Sequence, residues 1–130
     1  MENKRISADC IEELQENEIF VFGSNLAGLH AGGAARVAYH KFGAVWGRGF
    51  GLQGQSFAIP TMHGGIPRIQ PYVDEFIIFA EEHPELIFLV TRIGCGIAGF
   101  KDEEMAPLFA RAVRLENVAL PEKWWKILEL

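Results

Sequence analysis

Glycine is concentrated in two segments of this chain, and each segment directly follows a short apolar run. Most of the 14 glycines lie between Gly23 and Gly54, behind the run at residues 19–22, and a second group follows the run at residues 86–91. Apolar runs of this length, bounded by turn residues, are typical of strands buried on both faces. Residues at helical spacing follow each glycine segment. The repeated order of strand, glycine loop and helix predicts an α/β sheet covered on both faces.

The first half of the chain gives further local predictions. Ser7, as a helix N-cap before apolar residues at helical spacing, predicts a short helix over residues 7–16. Residues 47–54 hold too many glycines for regular structure, and residues 56–61 are predicted to form a second strand that ends near Pro60.

The remaining predictions follow the same periodicities. A helix over residues 32–42 follows the first glycine segment, and another over residues 69–80 ends before Pro84. Asp102 is expected to cap a helix carrying apolar residues to position 113. Residues 117–120 form a last predicted strand. The Trp124-Trp125 pair beyond it is either a short packing element or an association surface.

Length and composition limit the class of protein. The 130 residues fit one domain spanning positions 1–130, and the net charge of −5 is the wrong sign for a broad nucleic-acid surface, although a local anion site remains open. The sequence contains no run of about 18 apolar residues, so no membrane span is predicted, and residues 1–10 lack a signal-peptide pattern. With only Cys10 and Cys95, distant in sequence, we expect a cytoplasmic protein with reduced thiols. Its oligomeric state is left open, a homo-oligomer included.

The first glycine segment, residues 23–35, has the composition of an anion cradle. Small side chains let a ligand approach the main chain, and the following helix offers unpaired N–H groups to a phosphate or carboxylate. The segment lacks the Gly-Lys-Ser/Thr of a Walker A loop and the spacing of GxGxxG. The alternative is that these glycines only permit turns and tight packing of the helix on the sheet.

The second glycine segment, residues 94–100, also follows a strand end. Its successive N–H groups could wrap a pyrophosphate. Phe100 either stacks on a ribose or base or belongs to the core, where a Phe beside a helix start is more common. Arg92, directly before the segment, either holds an anion or forms a structural salt bridge.

No constellation of residues indicates a specific catalytic chemistry. Cys95 fits a small buried residue better than a nucleophile, because no histidine lies beside it in sequence. His30, His40 and His63 lack metal-ligand spacing, so no metal and no cofactor is predicted. His63, after the second strand, is the best-placed general base, with a solvated loop histidine as the alternative.

Three segments, in order, resemble the macro domain, an α/β module that binds ADP-ribose. Residues 30–43 are similar to the family's glycine-alanine segment and the helix that ends in Lys-Phe-Gly. Residues 56–61 are similar to its central strand ending in threonine, and residues 92–100 to its phosphate-binding loop. Within the family the chain resembles the branch that removes ADP-ribose from modified acidic side chains or nucleic acid. Residues 22–25 and 51–61 also resemble a group of uncharacterised bacterial and phage proteins.

The resemblance implies a three-layer α/β/α fold with a mixed central sheet and a cleft for ADP-ribose or a related nucleotide diphosphate. Residues 94–100 would surround the diphosphate, residues 32–35 would lie near the distal ribose, and adenine would lie toward residues 23–25. The implied ligand-binding residues are Gly23, Ser24, Asn25, Gly32, Gly33, Ala34, Thr61, Arg92, Gly94, Cys95, Gly96, Ile97, Ala98, Gly99 and Phe100.

Two positions depart from the hydrolytic branch of the family. Met62 stands where that branch has a lysine, and Ala98 stands where it has an acidic residue. Binding is therefore the leading hypothesis, and any hydrolysis of ADP-ribose conjugates would use a water positioned by Asn25 or His63. One alternative is a bacterial or phage interaction or structural protein whose glycine loops only shape the fold. Another is a hydrolase for a different nucleotide or sugar nucleotide.

Overall fold

The fold is a six-stranded sheet with helices packed on it. The computed structural model describes residues 5–8 and 10–129. The strands are β1 (Ile6–Ser7), β2 (Glu18–Ser24), β3 (Gly51–Gln53), β4 (Ser56–Pro60), β5 (Ile87–Val90) and β6 (Val118–Pro121). The helices are α1 (Gly33–Lys41), α2 (Ile66–Glu82), α3 (Asp102–Met105) and α4 (Glu122–Leu128), with a 3₁₀ helix (Ala106–Arg114) directly after α3. No described helix is long and apolar enough to cross a membrane.

Strand order brings the carboxyl ends of the central strands together. The order is β1-β6-β5-β2-β4-β3, and every neighbouring pair is parallel except β4 and β3. The sheet is therefore mixed, and the predicted strands at 19–22, 56–61, 86–91 and 117–120 are confirmed. In such a sheet, a ligand binds beyond the carboxyl ends of the strands, where the loops leave it.

Side chains of β2 alternate between two cores on opposite faces of the sheet. Ile19 and Val21 pack into the larger core, with residues of α2, the 3₁₀ helix and α4. Phe20 and Phe22 pack into the smaller one, which includes Ala35 and Ala38 of α1. The predicted helices over residues 32–42 and 69–80 are confirmed, and the sheet is covered on both faces. This layering is compatible with a three-layer α/β/α fold.

Two predictions for the first half of the chain are wrong. No helix forms in the described part of residues 7–16; Asp9 lies outside the described residues. Ser7 belongs to β1 and donates its hydroxyl to the Val90 carbonyl at 2.6 Å, so it does not cap a helix. Part of residues 47–54 also forms a strand, because β3 pairs antiparallel with β4. β1 depends on contacts with β6 and β5, which are far away in sequence, whereas β3 is the first strand of a hairpin with β4 that the glycine content of residues 47–54 concealed.

The chain after β5 differs from prediction in two details, and it decides between the two interpretations of the tryptophan pair. Lys101, not Asp102, is the N-cap of α3, and the Asp102 carboxylate accepts hydrogen bonds from more distant groups. The predicted helix continues beyond Met105 in 3₁₀ geometry. Trp124 and Trp125 are buried in the larger core, so this pair is a packing element and not an association surface.

Candidate functional site

A cavity of about 600 Å³ lies beyond the carboxyl ends of β2, β4 and β5. Its lining includes most of the ligand-binding residues implied by the sequence: Gly23, Ser24, Asn25, Gly32, Gly33, Ala34, Thr61, Arg92, Gly94, Cys95, Gly96, Ile97 and Ala98. Gly99 and Phe100 lie outside the lining, and Phe100 packs against the larger core. The structure thus brings both glycine segments to one site.

The two glycine segments meet across the cavity through the side chain of Ile97. A Cβ atom built at Gly32 would lie 3.2 Å from the Cδ1 atom of Ile97, and one built at Gly33 would lie 3.5 Å from it. Ile97 is 71% exposed, so it packs over the surface of the molecule and not in its core. A side chain at Gly32 would push Ile97 away and widen the gap between the segments.

The second glycine segment is folded so that several main-chain N–H groups stay open. The Phe100 N–H donates to the Gly94 carbonyl at 2.8 Å, and the Gly99 N–H donates to the Gly96 carbonyl at 3.0 Å. No described residue accepts a hydrogen bond from the N–H groups of Gly96, Ile97 or Ala98. Successive open N–H groups in a loop form a concavity that can bind an anion.

The start of α1 presents a second set of open donors to the same cavity. Its N-cap is Gly32, which has no side chain to accept a hydrogen bond from the first turn. In the described part of the chain, the N–H groups of Gly33, Ala34 and Ala35 have no acceptor. These groups and the helix dipole favour a negative charge at this end of α1.

Thr61 supplies an unused hydroxyl at the end of β4. The residue is 3% exposed and lines the cavity, yet its Oγ1 atom has no hydrogen-bond partner among the described residues. A Cβ atom at Gly23 would lie 3.3 Å from this oxygen and 3.4 Å from the Gly94 amide nitrogen, so glycine allows these strand ends to meet. This unpaired hydroxyl is therefore available to a polar ligand atom in the cavity.

Arg92 forms a structural salt bridge, one of the two roles open to it. Its Nε and Nη2 atoms donate to the Asp102 carboxylate at 3.0 and 2.7 Å. Asp102 Oδ1 also accepts from Trp124 Nε1 at 2.7 Å and from Cys95 Sγ at 3.4 Å. The Arg92 hydrogen bonds, with those from Trp124 and Cys95, outweigh the opposing effect of burial and lower the pKa of Asp102 to about 2. This carboxylate ties the second glycine segment to α4.

The Cys95 thiol is protonated in this environment. Burial, as the largest cause, and the nearby Asp102 carboxylate together raise its pKa to about 12. A nucleophilic cysteine needs the opposite shift, toward the thiolate. Cys95 is therefore a half-buried packing residue beside the cavity, in agreement with the preferred sequence interpretation.

Asn25 and His63, the two candidates for positioning a water, both hold the loop after β2. Asn25 Oδ1 accepts from the Leu29 N–H at 2.9 Å, and its Nδ2 donates to the Leu29 carbonyl at 3.1 Å. His63 Nε2 accepts from the Leu26 N–H at 2.8 Å, and His63 does not line the cavity. Ser24 has a similar role, since its hydroxyl donates to the Gly49 carbonyl.

The lining favours binding over proton transfer. Among its described residues there is no lysine, histidine, aspartate or glutamate, and Met62 and Ala98 both belong to it. No group of three or more potential metal ligands occurs within residues 5–8 and 10–129. The site can therefore present N–H groups, hydroxyls and apolar contacts, but no described general acid or base.

One wall of the cavity was missed by the sequence prediction. Ala8, Cys10 and Ile11 follow β1, and Pro121 ends β6. The only available signal was Pro121 at the end of a predicted strand, because residues 7–16 were interpreted as a helix.

The chain matches no protein-family model, no curated protein and no solved structure.

Proposed function

We propose that the protein binds ADP-ribose or a related nucleotide diphosphate in this cavity, in the manner of a macro domain. The observation that carries the proposal is the convergence of two glycine segments with open N–H groups on one cavity. A diphosphate presents several acceptor oxygens within a short distance, and main-chain donors without side chains can approach all of them. The cavity volume of about 600 Å³ falls within the range of small-molecule sites, roughly 300–1,000 Å³.

The proposed ligand follows the order of the lining residues. The diphosphate lies along Gly96, Ile97 and Ala98, whose N–H groups are open within the described chain. The distal ribose lies near the start of α1, and adenine lies toward residues 23–25. Thr61 would donate or accept one hydrogen bond with the ligand. Since the charge of Arg92 is already paired with Asp102, main-chain groups supply most of the interaction with the anion.

Binding, not rapid hydrolysis, is the activity that this chemistry supports. Hydrolysis of a glycosidic ester requires a group that activates water or attacks the anomeric carbon. No described lining side chain is an amine, an imidazole or a carboxylate. We therefore expect ADP-ribose to leave the protein unchanged.

Isothermal titration calorimetry with ADP-ribose tests the proposal, with AMP and ribose 5-phosphate as controls. The Gly96→Glu variant places a carboxylate where a Cβ atom meets nothing within 4 Å, so the fold is kept while the diphosphate is repelled. We expect its affinity for ADP-ribose to fall at least about tenfold, equivalent to about 1.4 kcal/mol. Gly65→Glu is the matched control, because Gly65 is exposed, has φ −91° and lies outside the cavity.

Titrations of the wild type and of the two variants distinguish ADP-ribose binding from the alternatives. Saturable binding of ADP-ribose that is weakened by Gly96→Glu and not by Gly65→Glu supports it. An absence of heat at millimolar ADP-ribose overturns it and favours glycine loops that only shape the fold. An affinity for ADP-ribose that Gly96→Glu leaves unchanged would show that the ligand does not contact the second glycine segment.

A further inference from the structure

The charges of this protein are divided unevenly along the chain. None of the 17 acidic residues lies between Glu18 and Asp74, although the net charge of the whole chain is −5. This acid-free stretch, residues 19–73, contains the cations Arg36, Lys41, Arg48 and Arg68. The net charge is therefore an average over a cationic stretch and two strongly acidic ones.

The cations of the acid-free stretch are exposed and uncompensated. Three arginines elsewhere each pair with an acidic side chain: Arg92 with Asp102, Arg111 with Asp74 and Arg114 with Glu81. By contrast, no described acidic residue lies within 4.0 Å of the charged groups of Arg36, Lys41, Arg48 or Arg68, all of which are exposed. Their charge is available to an anionic partner.

Two aromatic side chains are exposed within the same stretch. Tyr39 is 41% exposed and Trp46 is 49% exposed, and their ring centroids lie 5.4 Å apart. The buried His30 ring packs against both, at 6.4 and 6.3 Å, and its Nε2 donates to the Val45 carbonyl at 2.9 Å. The pair is thus preformed on a packed support.

Cations flank the aromatic pair along the chain. Arg36 precedes Tyr39 by three residues and His40 by four, so the three exposed side chains share one side of α1. Arg48 follows Trp46 in a turn closed by the Arg48 N–H and the Val45 carbonyl at 3.1 Å. We call Arg36, Tyr39, His40, Trp46 and Arg48 the aromatic-cationic surface.

We infer that the aromatic-cationic surface binds single-stranded nucleic acid. Unpaired bases can stack on Trp46 and Tyr39 while phosphates contact Arg36 and Arg48, the combination used by proteins that bind single strands without sequence preference. The acidic remainder of the chain limits contact to a few nucleotides. The inference departs from the sequence expectation of no broad nucleic-acid surface, because that expectation used the net charge of the whole chain. It does not depend on the cavity ligand.

Tryptophan fluorescence measures oligonucleotide binding at this surface directly, since Trp46 is exposed while Trp124 and Trp125 are buried. The probe is an oligothymidylate of about 12 nucleotides, titrated into the full chain at about 50 mM salt. We expect saturable quenching of Trp46 and an affinity that falls steeply as salt is added. Fluorescence anisotropy of a labelled oligothymidylate measures the same affinity in variants without Trp46.

Charge and stacking are tested by separate variants with a matched control. Arg48→Glu and Trp46→Ala should each weaken binding about tenfold, and Trp46→Phe should retain most of it because a ring remains. Lys126→Glu makes the same charge change as Arg48→Glu at an exposed site on α4, across the sheet from α1. It should change the affinity less than about twofold. Thermal melts show that each variant is folded.

Each outcome decides for or against the inference. Absence of binding at low salt overturns it, as does equal weakening by Arg48→Glu and Lys126→Glu, which would indicate attraction without a defined surface. Competition by polyglutamate at the same charge concentration, as strong as that by unlabelled oligothymidylate, would also overturn it in favour of an acidic protein partner. Gly96→Glu should leave oligonucleotide binding unchanged, which separates this surface from the cavity.

Discussion

Glycine occurs for different reasons at two places in this protein, the crossing of two loops and position 96 of the second glycine segment. Where the loop at residues 26–29 crosses the loop at residues 47–49, a Cβ atom at Gly49 would lie 2.2 Å from the Asn25 carbonyl oxygen, and one at Gly28 would lie 2.2 Å from the Arg48 nitrogen. In the second glycine segment, a Cβ atom at Gly96 would meet nothing within 4 Å. Glycine is required by packing at the loop crossing, whereas at Gly96 it leaves space beside open donors.

The difference shows that glycine content alone does not identify a binding site. The loop crossing is held by main-chain contact, including the hydrogen bond from the Gly47 N–H to the Gly28 carbonyl at 2.9 Å, and Gly49 lies against Asn25, which lines the cavity. The second glycine segment is held by the Asp102 carboxylate, which accepts hydrogen bonds from Arg92 and Cys95, and it stays open on the side of the cavity. Variants at the two places should therefore separate stability from ligand binding.

The largest effect on stability is expected for Gly49→Ala at the loop crossing. Its Cβ atom would overlap the Asn25 carbonyl and the Leu26 Cα, so the two loops must move apart. We expect the free energy of unfolding to fall by about 3 kcal/mol, measured by urea denaturation. A change below about 1 kcal/mol would show that the loops separate easily, and would remove the contrast with Gly96.

A smaller effect is expected for Asp102→Asn, below the second glycine segment. The pKa of Asp102 is about 2 in the folded protein and 3.8 in the reference state, so its ionised form stabilises the fold above pH 3.8, and this stabilisation is lost as the pH falls through about 2. The shift corresponds to about 2 kcal/mol at neutral pH.

The measurement is urea denaturation of both proteins over a pH series. The difference in unfolding free energy between wild type and Asp102→Asn should be greatest above pH 3.8 and shrink toward about pH 2. The matched control is Glu103→Gln, since Glu103 is the next residue on α3 and is exposed. An acid profile of Asp102→Asn that parallels wild type would contradict this role of Asp102.

Gly96→Ala should have a still smaller effect on stability, and it should affect ligand binding more than stability. The added methyl group meets no atom, so the free energy of unfolding should change by less than about 1 kcal/mol, and a slight gain from reduced freedom of the unfolded chain is compatible. Affinity for ADP-ribose should fall, because the methyl group occupies the approach to open N–H groups. Calorimetry and denaturation on the same sample give both values. Unchanged affinity would count against Gly96 as a ligand contact.

The smallest effect is expected at Cys95. Because its pKa is raised to about 12, the thiol is protonated, and Cys95→Ser should alter ADP-ribose affinity less than about twofold. Iodoacetamide at about pH 8 should modify the exposed Cys10 before Cys95, as followed by mass spectrometry of peptides. Faster modification of Cys95 would contradict the raised pKa that burial and the Asp102 carboxylate give this thiol.

The sequence predicted what local patterns determine. The strands at 19–22 and 86–91 were predictable because each is a continuous apolar run, and their glycine segments reach the cavity because parallel pairing aligns their ends. The strand order and the wall formed by residues after β1 were not predictable. Ser7 was interpreted as a cap because its partner, the Val90 carbonyl, is distant in sequence.

Asp102 shows the same limit at a single residue. An aspartate before a helical pattern predicts an N-cap, and nothing nearby in sequence indicates that Arg92 and Trp124 donate to its carboxylate instead. The acid-free stretch was visible in the sequence throughout, but a charge total hides where charges lie. Local patterns identified the glycine segments, and only tertiary contacts distinguish packing from space for a ligand.

The pairing of β1 with β6 has a consequence for the order in which the protein folds. The Arg5 Nε atom donates to the Val118 carbonyl at 3.1 Å across a sequence separation of 113 residues, and the Leu120 N–H donates to the Arg5 carbonyl at 3.0 Å. Closing so long a loop is entropically unfavourable, so this edge should join the sheet after β2, β4 and β5. In native-state hydrogen exchange, the Leu120 amide should exchange by opening of this edge, before the amides of β2. The wall that Ala8 and Pro121 give to the cavity would then be completed last and opened first.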